Sequence, residues 1–541
     1  MKLVYRILVF VAVVALWAAI YLPRLGDIPL RGEEPTRALP ASTMLETGRW
    51  MVPSVDGKDY FNKPPMVNWL VAASYVVTGT VTEFSARLPS VLMILAFVSL
   101  VVLMRSGWLE LPGQVAVAVI SLTTVLMVTR GRLIEIEAVY VAFTGMAVLW
   151  WLNVWSAKGS RWSLWIMPAL FLSAGALAKG PFLGLVFYSV VVGVLLYERR
   201  LRELVSIQHI VAVAIICVLC LGWVYLAKQE SSSQQMTGQW SKQLAPRVIP
   251  SFKTFNLPRT LPGALRDFLP WSLFLPLLWV RRFTSRIPAG QQAMFKGCRL
   301  GMVVGFMLLA AMPCAIPRYV MPAQPVMAMM VGWVLSRHRE PIPSDRVWVW
   351  GILAALALAA ASSVAGLAVF SRGGYAWVAC AGAIVAAMLA VRWRAKLIGG
   401  VRLAVATSLV AVVGAWLYFG FGVPMVIAQD DDRPPAWRIN RLVPAGQPTY
   451  VFKPVHWAFL FSMRPPLRYV LTPDRIGPDV RYMVVPVVEY GKTPGLAEAL
   501  ARRAGRSIYP FDSDAEKFDL VELGPAPTSS PTSAPSSAPA K

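Results

Sequence analysis

Between the first apolar run and the rest of the chain lies Arg31 to Pro65, RGEEPTRALPASTMLETGRWMVPSVDGKDYFNKPP. It holds two adjacent carboxylates, Glu33 and Glu34, a nearby cation, Arg37, and a Lys-Pro-Pro at Lys63, Pro64 and Pro65. Further ionisable residues recur where apolar runs end: Arg130, Arg132, Glu135 and Glu137, then Lys179, then Arg318 beside Tyr319. A carboxylate takes a proton from a hydroxyl. Cations stabilise a phosphate leaving group as its charge builds. Ionisable groups near hydrocarbon are costly, so they face a cavity or a partner. Carboxylates and cations gathered at one membrane face suit transfer of a group from a phosphate to a hydroxyl.

Each residue also has a plainer reading. Glu33 and Glu34 serve equally as loop solvation. Lys63 and Lys179 read as anchors whose stems lie along hydrocarbon. Glu137 is placed to pair with Arg132, and Arg318 and Tyr319 suit a span boundary.

The elements that must position these groups are mostly apolar. The chain has 541 residues, of which 57% are hydrophobic and 15% charged. Its mean hydropathy is +0.57. Apolar runs close to the ~20 residues of a bilayer-spanning helix recur throughout. Lipid admits no open strand edges, so the runs are expected as helices. Spans are expected at 7–23, 88–105, 113–129, 138–156, 163–178, 181–197, 208–227, 268–280, 301–316, 319–336, 347–370, 375–391 and 401–424, about 13 in all. The first has the look of a signal peptide without a convincing cleavage site and reads as an uncleaved span. Pro35 to Thr47 reads as an amphipathic interfacial helix. Residues 66–79 read as an interfacial or re-entrant one.

The net charge of +24 would suggest nucleic acid in a soluble chain. Here the basic residues cluster in alternate loops, for example at Arg105, at Lys158 and Arg161, at Arg199 to Arg202, at Arg337 and Arg339, and at Arg392 to Lys396. That is the positive-inside pattern, with membrane lipids rather than nucleic acid as partner. It puts residues 24–87 and the C-terminal region on the extracytoplasmic side. The loop 228–267 is also placed outside although basic, which suits a phosphate-bearing substrate or plain solvation. The five cysteines sit in or beside apolar runs, and the lone C-x-x-C at Cys217 and Cys220 suggests small buried residues. The histidines are scattered, and no required metal is expected.

Three regions follow: a transmembrane domain over 1–425 with its loop 24–87, a small α/β domain over 430–523, and a Pro/Ser/Ala-rich tail over 524–541 that should be disordered. Strands are expected at Thr449–Phe452, Leu467–Leu471, Tyr482–Val488 and Asp519–Glu522, with a helix over Pro494–Ala504.

GEEPTRA, MLETGRWMVPSVDGKDYFNKPPMVNWLVAASY and EFSARLPSVL resemble the first outer loop of bacterial C-type (GT-C) membrane glycosyltransferases. These are relatives of the lipid A aminoarabinose transferase and the protein O-mannosyltransferases. The likeness continues in GRLIEIEAVYVAF, LAKGPFLG, DFLPWSLFLP and PRYVMPAQP, in order over residues 1–340. It implies a polytopic α-helical GT-C fold with a small C-terminal α/β periplasmic domain in the bacterial inner membrane. The implied activity is sugar transfer from a polyprenyl-phosphate donor to a hydroxyl of a glycolipid, protein or glycan. The donor is a co-substrate, and no cofactor is implied. Carried over by motif, Glu33 stands for the family's first-loop Asp as base or acceptor-orienting carboxylate, with Glu34 beside it. Glu137 stands for a second Asp. Lys63 and Lys179 hold the lipid phosphate, Tyr319 contacts it, and Arg37 supports the loop. Tyr60, Arg132 and Arg318 complete the substrate-binding set.

Two departures matter. Glu replaces Asp at both positions, which moves each carboxylate by roughly 1.5 Å, one carbon–carbon bond. Asn62 stands where the lipid A enzymes often carry an acidic residue, which argues against a metal held there. The rival classes are a lipid-linked-sugar flippase and a non-catalytic family member acting as a binding subunit.

Overall fold

The computed structural model describes residues 2–55, 57–61, 63–231, 238–239, 256–338, 343–369, 373–397, 399–454, 458–464, 466–513 and 516–525. Asn62, most of the loop 228–267 and nearly all of the tail 524–541 lie outside them. The chain divides into two compact units. The first comprises Met1–Ile28, Arg37–Pro53 and Asp59–Gln429; the second comprises Pro29–Thr36, Ser54–Lys58 and Asp430–Lys541.

In the first unit, ten helices among the described residues are long and apolar enough to cross a membrane. The chain opens with α1 (Lys2–Tyr21), α2 (Pro35–Thr47), α3 (Met66–Thr78), α4 (Glu83–Leu103) and α5 (Leu111–Thr123). Then come α6 (Val125–Arg130), α7 (Ile136–Ser156), α8 (Arg161–Lys179), α9 (Leu183–Tyr197) and α10 (Ile207–Glu230). The short helix expected at Pro35–Thr47 is present, and residues 66–79 form a 13-residue helix closed by Gly79 at φ 66°.

Burial separates core helices from lipid-facing ones. The spans Ile136–Ser156 and Pro317–Arg337 are 78% and 94% buried, whereas Leu3–Tyr21 and Ile207–Glu230 are only 17% buried. The latter two keep their apolar side chains for hydrocarbon, where burial against protein brings no hydrophobic gain.

Four expected spans differ. The one at 181–197 is the 15-residue helix Leu183–Tyr197, shorter than the ten. Residues 268–280 do not form a long helix: a cis Leu269–Pro270 bond precedes a short 3-10 helix, Trp271–Leu278, with Pro276 inside it. Two prolines in ten residues remove the donors a continuous α-helix needs. The expected span 113–129 breaks at Thr124, which is extended at φ −68°, ψ 146°. Its Oγ1 accepts the Met127 N–H at 3.2 Å, so it caps α6. The span placed at 301–316 is the helix Gln292–Ala310, whose first turns carry Lys296 and are too polar to have been read as membrane.

The second unit is built on five strands. They are β3 (Thr449–Phe452), β4 (Leu467–Val470), β5 (Tyr482–Pro486), β6 (Arg506–Ser513) and β7 (Glu516–Glu522); β1 (Ser54–Val55) and β2 (Lys58–Asp59) are two-residue strands earlier in the chain. The sheet order is β4-β3-β5-β7-β6, with β3 parallel to β4 and β5, and β7 antiparallel to β5 and β6. The helix Leu496–Arg502 packs Leu496 and Leu500 into a core with Phe452, Met483, Val485 and Val521. Strand β6 was not anticipated. Its Pro510 reads as a strand breaker, and the strand is tolerated because it lies at the sheet edge with a bulge between Ser507 and Tyr509.

Candidate active site

Glu137 lies in the first turn of α7 and Lys179 in the last turn of α8. Each is where its helix dipole favours that charge. Lys179 Nζ meets Glu137 Oε1 at 2.6 Å, with side chains 14% and 7% exposed. Gly180 then turns the chain at φ 108°, a conformation other residues rarely adopt. Tyr140, one turn into α7, pins that turn. Its hydroxyl donates to Gly180 O at 2.9 Å and accepts from Leu183 N at 2.6 Å. The start of α7 and the α8–α9 turn are thus locked together.

Tyr319 and Arg318 come from a third element, the 3-10 turn Pro317–Ala323. The Lys179 ammonium lies 5.1 Å from the Tyr319 ring centre and 5.9 Å from that of Tyr140. Both rings present a face that favours a cation. Arg318 is close enough to act on both Glu135 and Glu137. Glu135, the residue before α7, binds Arg130 at 2.5 Å through Oε1, while its buried Oε2 has no hydrogen-bond partner among the described residues. Burial, with Glu137 next, holds the Glu135 carboxyl above the usual range, against the opposing pull of Arg130 and Arg318. Two carboxylates and three cations, Lys179, Arg130 and Arg318, therefore converge. An apolar groove of about 580 Å³ lies near these helix ends, and none of the charged residues lines it. Ala176 and Pro181, on either side of Lys179, line it together with Tyr188 and Val192 of α9 and with Leu300 and Val304.

Arg132 is elsewhere. Glu137 pairs with Lys179, not with Arg132 as its position near the start of α7 suggested. Arg132 donates to Ile20 O at 2.8 Å and to Pro23 O at 2.5 Å, and it covers Phe419 at 4.3 Å. Burial, with Arg87 next, brings its guanidinium down to about 10, so it stays charged at neutral pH.

The loop residues are held by groups that sequence reading passed over. Glu230, at the end of α10, accepts the Met51 and Val52 N–H groups at 3.2 Å each. Its backbone carbonyl accepts from Arg49 Nη2 at 3.0 Å. Gln239 accepts from Phe61 N at 2.9 Å and donates to Asp59 O at 3.0 Å. Between these fastenings lies Tyr60, over which Arg37 sits at 5.5 Å. Arg37 itself is 2% exposed, and its backbone carbonyl accepts from Asn68 Nδ2. Lys63 follows in a half-buried bend, with Pro65 capping α3. The one signal for Glu230 was a carboxylate closing an otherwise apolar run.

Glu33 and Glu34 belong to the second unit. Glu33 is exposed and its carbonyl accepts from Thr36 Oγ1 at 2.7 Å. Glu34 is 1% exposed, and its carboxylate accepts the Arg31 N–H at 3.0 Å. Of the adjacent pair, Glu34 is buried and shapes the turn, and Glu33 is exposed. Among the described residues no group of three or more His, Cys, Asp or Glu gathers to hold a metal.

A helical membrane unit with charges at helix ends, joined in one chain to a small mixed sheet, is the architecture of C-type glycosyltransferases, and the chain has that fold. The solved structure of ArnT from Cupriavidus metallidurans bound to undecaprenyl phosphate matches with a TM-score of 0.69 at 19% identity, covering 95% of this chain and 97% of that one. Its apo form matches with a TM-score of 0.68 at 17% identity, covering 96% and 98%. The family model described as dolichyl-phosphate-mannose-protein mannosyltransferase matches residues 62–225. The undecaprenyl phosphate-alpha-4-amino-4-deoxy-L-arabinose arabinosyl transferase of Pseudomonas aeruginosa strain UCBPP-PA14 is 24% identical over 55% of this chain and 54% of its own length. Arabinosyl transferase 2 of Pseudomonas fluorescens is 23% identical over 58% and 57%. The chain thus spans about half the length of the curated relatives it matches.

Proposed function

We propose that the protein transfers a sugar from a polyprenyl phosphate to an acceptor hydroxyl at the extracytoplasmic face of the bacterial inner membrane. The observation that carries this reading is the Lys179–Glu137 pair, with Arg318 and Tyr319 beside it, close to an apolar groove of about 580 Å³ that Ala176 and Pro181 line. A phosphate needs cations and an isoprenoid tail needs hydrocarbon walls, and here the two adjoin. The ArnT named above was solved with undecaprenyl phosphate, which supports the donor class.

In this reading Lys179, Lys63 and Arg318 hold the donor phosphate and the tail lies along the groove. Glu33 takes the proton from the acceptor hydroxyl. The new bond forms between that oxygen and the anomeric carbon while the bond from carbon to phosphate oxygen breaks. The phosphate leaves with the electron pair, stabilised by the cations. One displacement without a covalent enzyme intermediate inverts the anomeric centre. Arg37 and Tyr60 steady the loop, side-chain cations rather than a metal carry the phosphate charge, and the C-terminal unit lies outside the cytoplasm. The acceptor class is a glycolipid, protein or glycan bearing a free hydroxyl.

The test is transfer of radiolabel from a panel of polyprenyl-phosphate sugars to a membrane extract, using protein in nanodiscs. Wild type should move label into a new product, and Glu33→Gln should not. Donor binding without transfer from any sugar would overturn the reading in favour of transport or a binding subunit.

A further inference from the structure

The membrane unit contains a second, larger chamber of about 810 Å³, which shares no lining residue with the groove beside Lys179. Its volume is that of a small-molecule or lipid site. Most of its wall is apolar, including Val125, Val128, Ile352, Ala355 and Val410. Three arginines also line it: Arg24, Arg87 and Arg132.

These arginines are placed, not merely present. Arg24 pairs with Asp27 at 2.6 Å and donates to Phe419 O at 2.7 Å. Arg87, 2% exposed, donates to Leu25 O at 3.0 Å and Ile28 O at 2.7 Å. Arg132, 8% exposed, donates to Ile20 O and Pro23 O. Carbonyl oxygens orient a guanidinium without cancelling its charge, while Asp27 offsets that of Arg24 and also acts on Arg132. Arg87 and Arg132 are near enough to repel one another. An anion seated among them would relieve that repulsion, and guanidinium groups match phosphate oxygens in pairs.

The chamber is also kept open. Gly351 and Gly414, on two different helices, both line it, and a Cβ added at either would meet nothing within 4 Å. A side chain at those positions would have filled the space.

We propose that this chamber is a binding site for an anionic membrane phospholipid, its phosphodiester among Arg24, Arg87 and Arg132 and an acyl chain against the apolar wall. The surrounding bilayer supplies that ligand, and guanidinium groups beside an apolar wall suit its phosphodiester and its acyl chain. The site is separate from the donor phosphate at Lys179, so its occupancy does not depend on the transferase reading.

The test uses the full chain, delipidated in detergent, with dioleoyl phosphatidylglycerol and dioleoyl phosphatidylcholine as probes in native mass spectrometry. One phosphatidylglycerol should be retained per chain, at least tenfold more tightly than phosphatidylcholine. Arg132→Gln should weaken it about tenfold, but that change also loosens the end of α1. The double variant Gly351→Leu with Gly414→Leu leaves every arginine in place, and it should lose the lipid while keeping the wild-type elution and thermal transition. Equal retention of the two lipids, or unchanged retention in the folded double variant, would overturn the proposal. So would displacement of phosphatidylglycerol by undecaprenyl phosphate in wild type but not in the double variant, because the chamber would then be the donor's.

Discussion

Removing the Lys179 ammonium while Glu137 stays leaves a carboxylate 6% exposed beside the membrane core without its partner. Breaking a buried pair in this way costs about 3–5 kcal/mol, whereas replacing both members by apolar groups is often neutral. Lys179→Ala should therefore lower both the thermal transition and the rate of transfer. Lys179→Met with Glu137→Leu should restore the transition and still lose transfer by on the order of 100-fold. A double variant that transfers like wild type would remove Lys179 from the phosphate site. The candidates at this scale were legible: Glu137, Lys179, Arg318 and Tyr319 were all named from sequence. What could not be read was who meets whom. Arg132 is five residues from Glu137 in the chain, yet the partner is Lys179, 42 residues away. Proximity in sequence is a weak guide where a loop precedes a helix, because the turn decides which way each side chain points.

The groove beside Lys179 depends on how α9 meets the Gln292–Ala310 helix. The sequence there runs Gly297, Gly301, Gly305 at four-residue spacing, a stripe that lets membrane helices approach closely. A Cβ at Gly301 would lie 2.3 Å from Ser189 O, and one at Gly297 would lie 2.5 Å from Gly193 O. Those are backbone atoms and cannot step aside. Gly301→Leu should separate the helices, cost about 1–3 kcal/mol, and weaken donor binding without touching a charged residue. Gly222→Ala on α10, where an added Cβ meets nothing, is the control and should leave donor binding unchanged. Equal donor affinity in Gly301→Leu and wild type would show that this helix contact does not shape the groove. Most elements with a strong apolar run were legible to within a few residues, whereas the helix Gln292–Ala310 starts nine residues before the span expected at 301–316. Residues 268–280 were not, because hydropathy averages over a window and does not register that Pro270 and Pro276 forbid a continuous helix. Strand β6 was hidden by Pro510 for the converse reason: an edge strand forgives a proline that an interior strand would not.

At the scale of the molecule, the outer loop is divided between the two units. Residues Pro29–Thr36 and Ser54–Lys58 belong with Asp430 onward, while Arg37–Pro53 and Asp59 belong with the helices. Within the second unit Arg31 lies 3.6 Å from Asp430, and a Cβ on Gly57 would come within 2.8 Å of Tyr469. A domain boundary drawn at one point in the chain cannot express this. The sequence suggested a C-terminal unit from 430, but its early segments look like ordinary loop because their partners lie about 400 residues away. Truncation after Gln429 should leave the helices inserted and the Lys179 site able to bind donor, yet abolish transfer by more than 100-fold. Full transfer by the truncated chain would show that the segment bearing Glu33 and Glu34 needs no late partner.

That division also sets a clock. The carboxylate pair is among the first parts of the chain to leave the ribosome, but the strands that share its unit are among the last. At ordinary elongation rates the interval to the end of the last strand is roughly 25 to 100 s. During that time a nascent chain already carries Lys179 and its groove but has not completed the unit that holds Glu33. The second unit is thus begun among the first residues and finished among the last, and its early segments wait for their partners until the final strand is made.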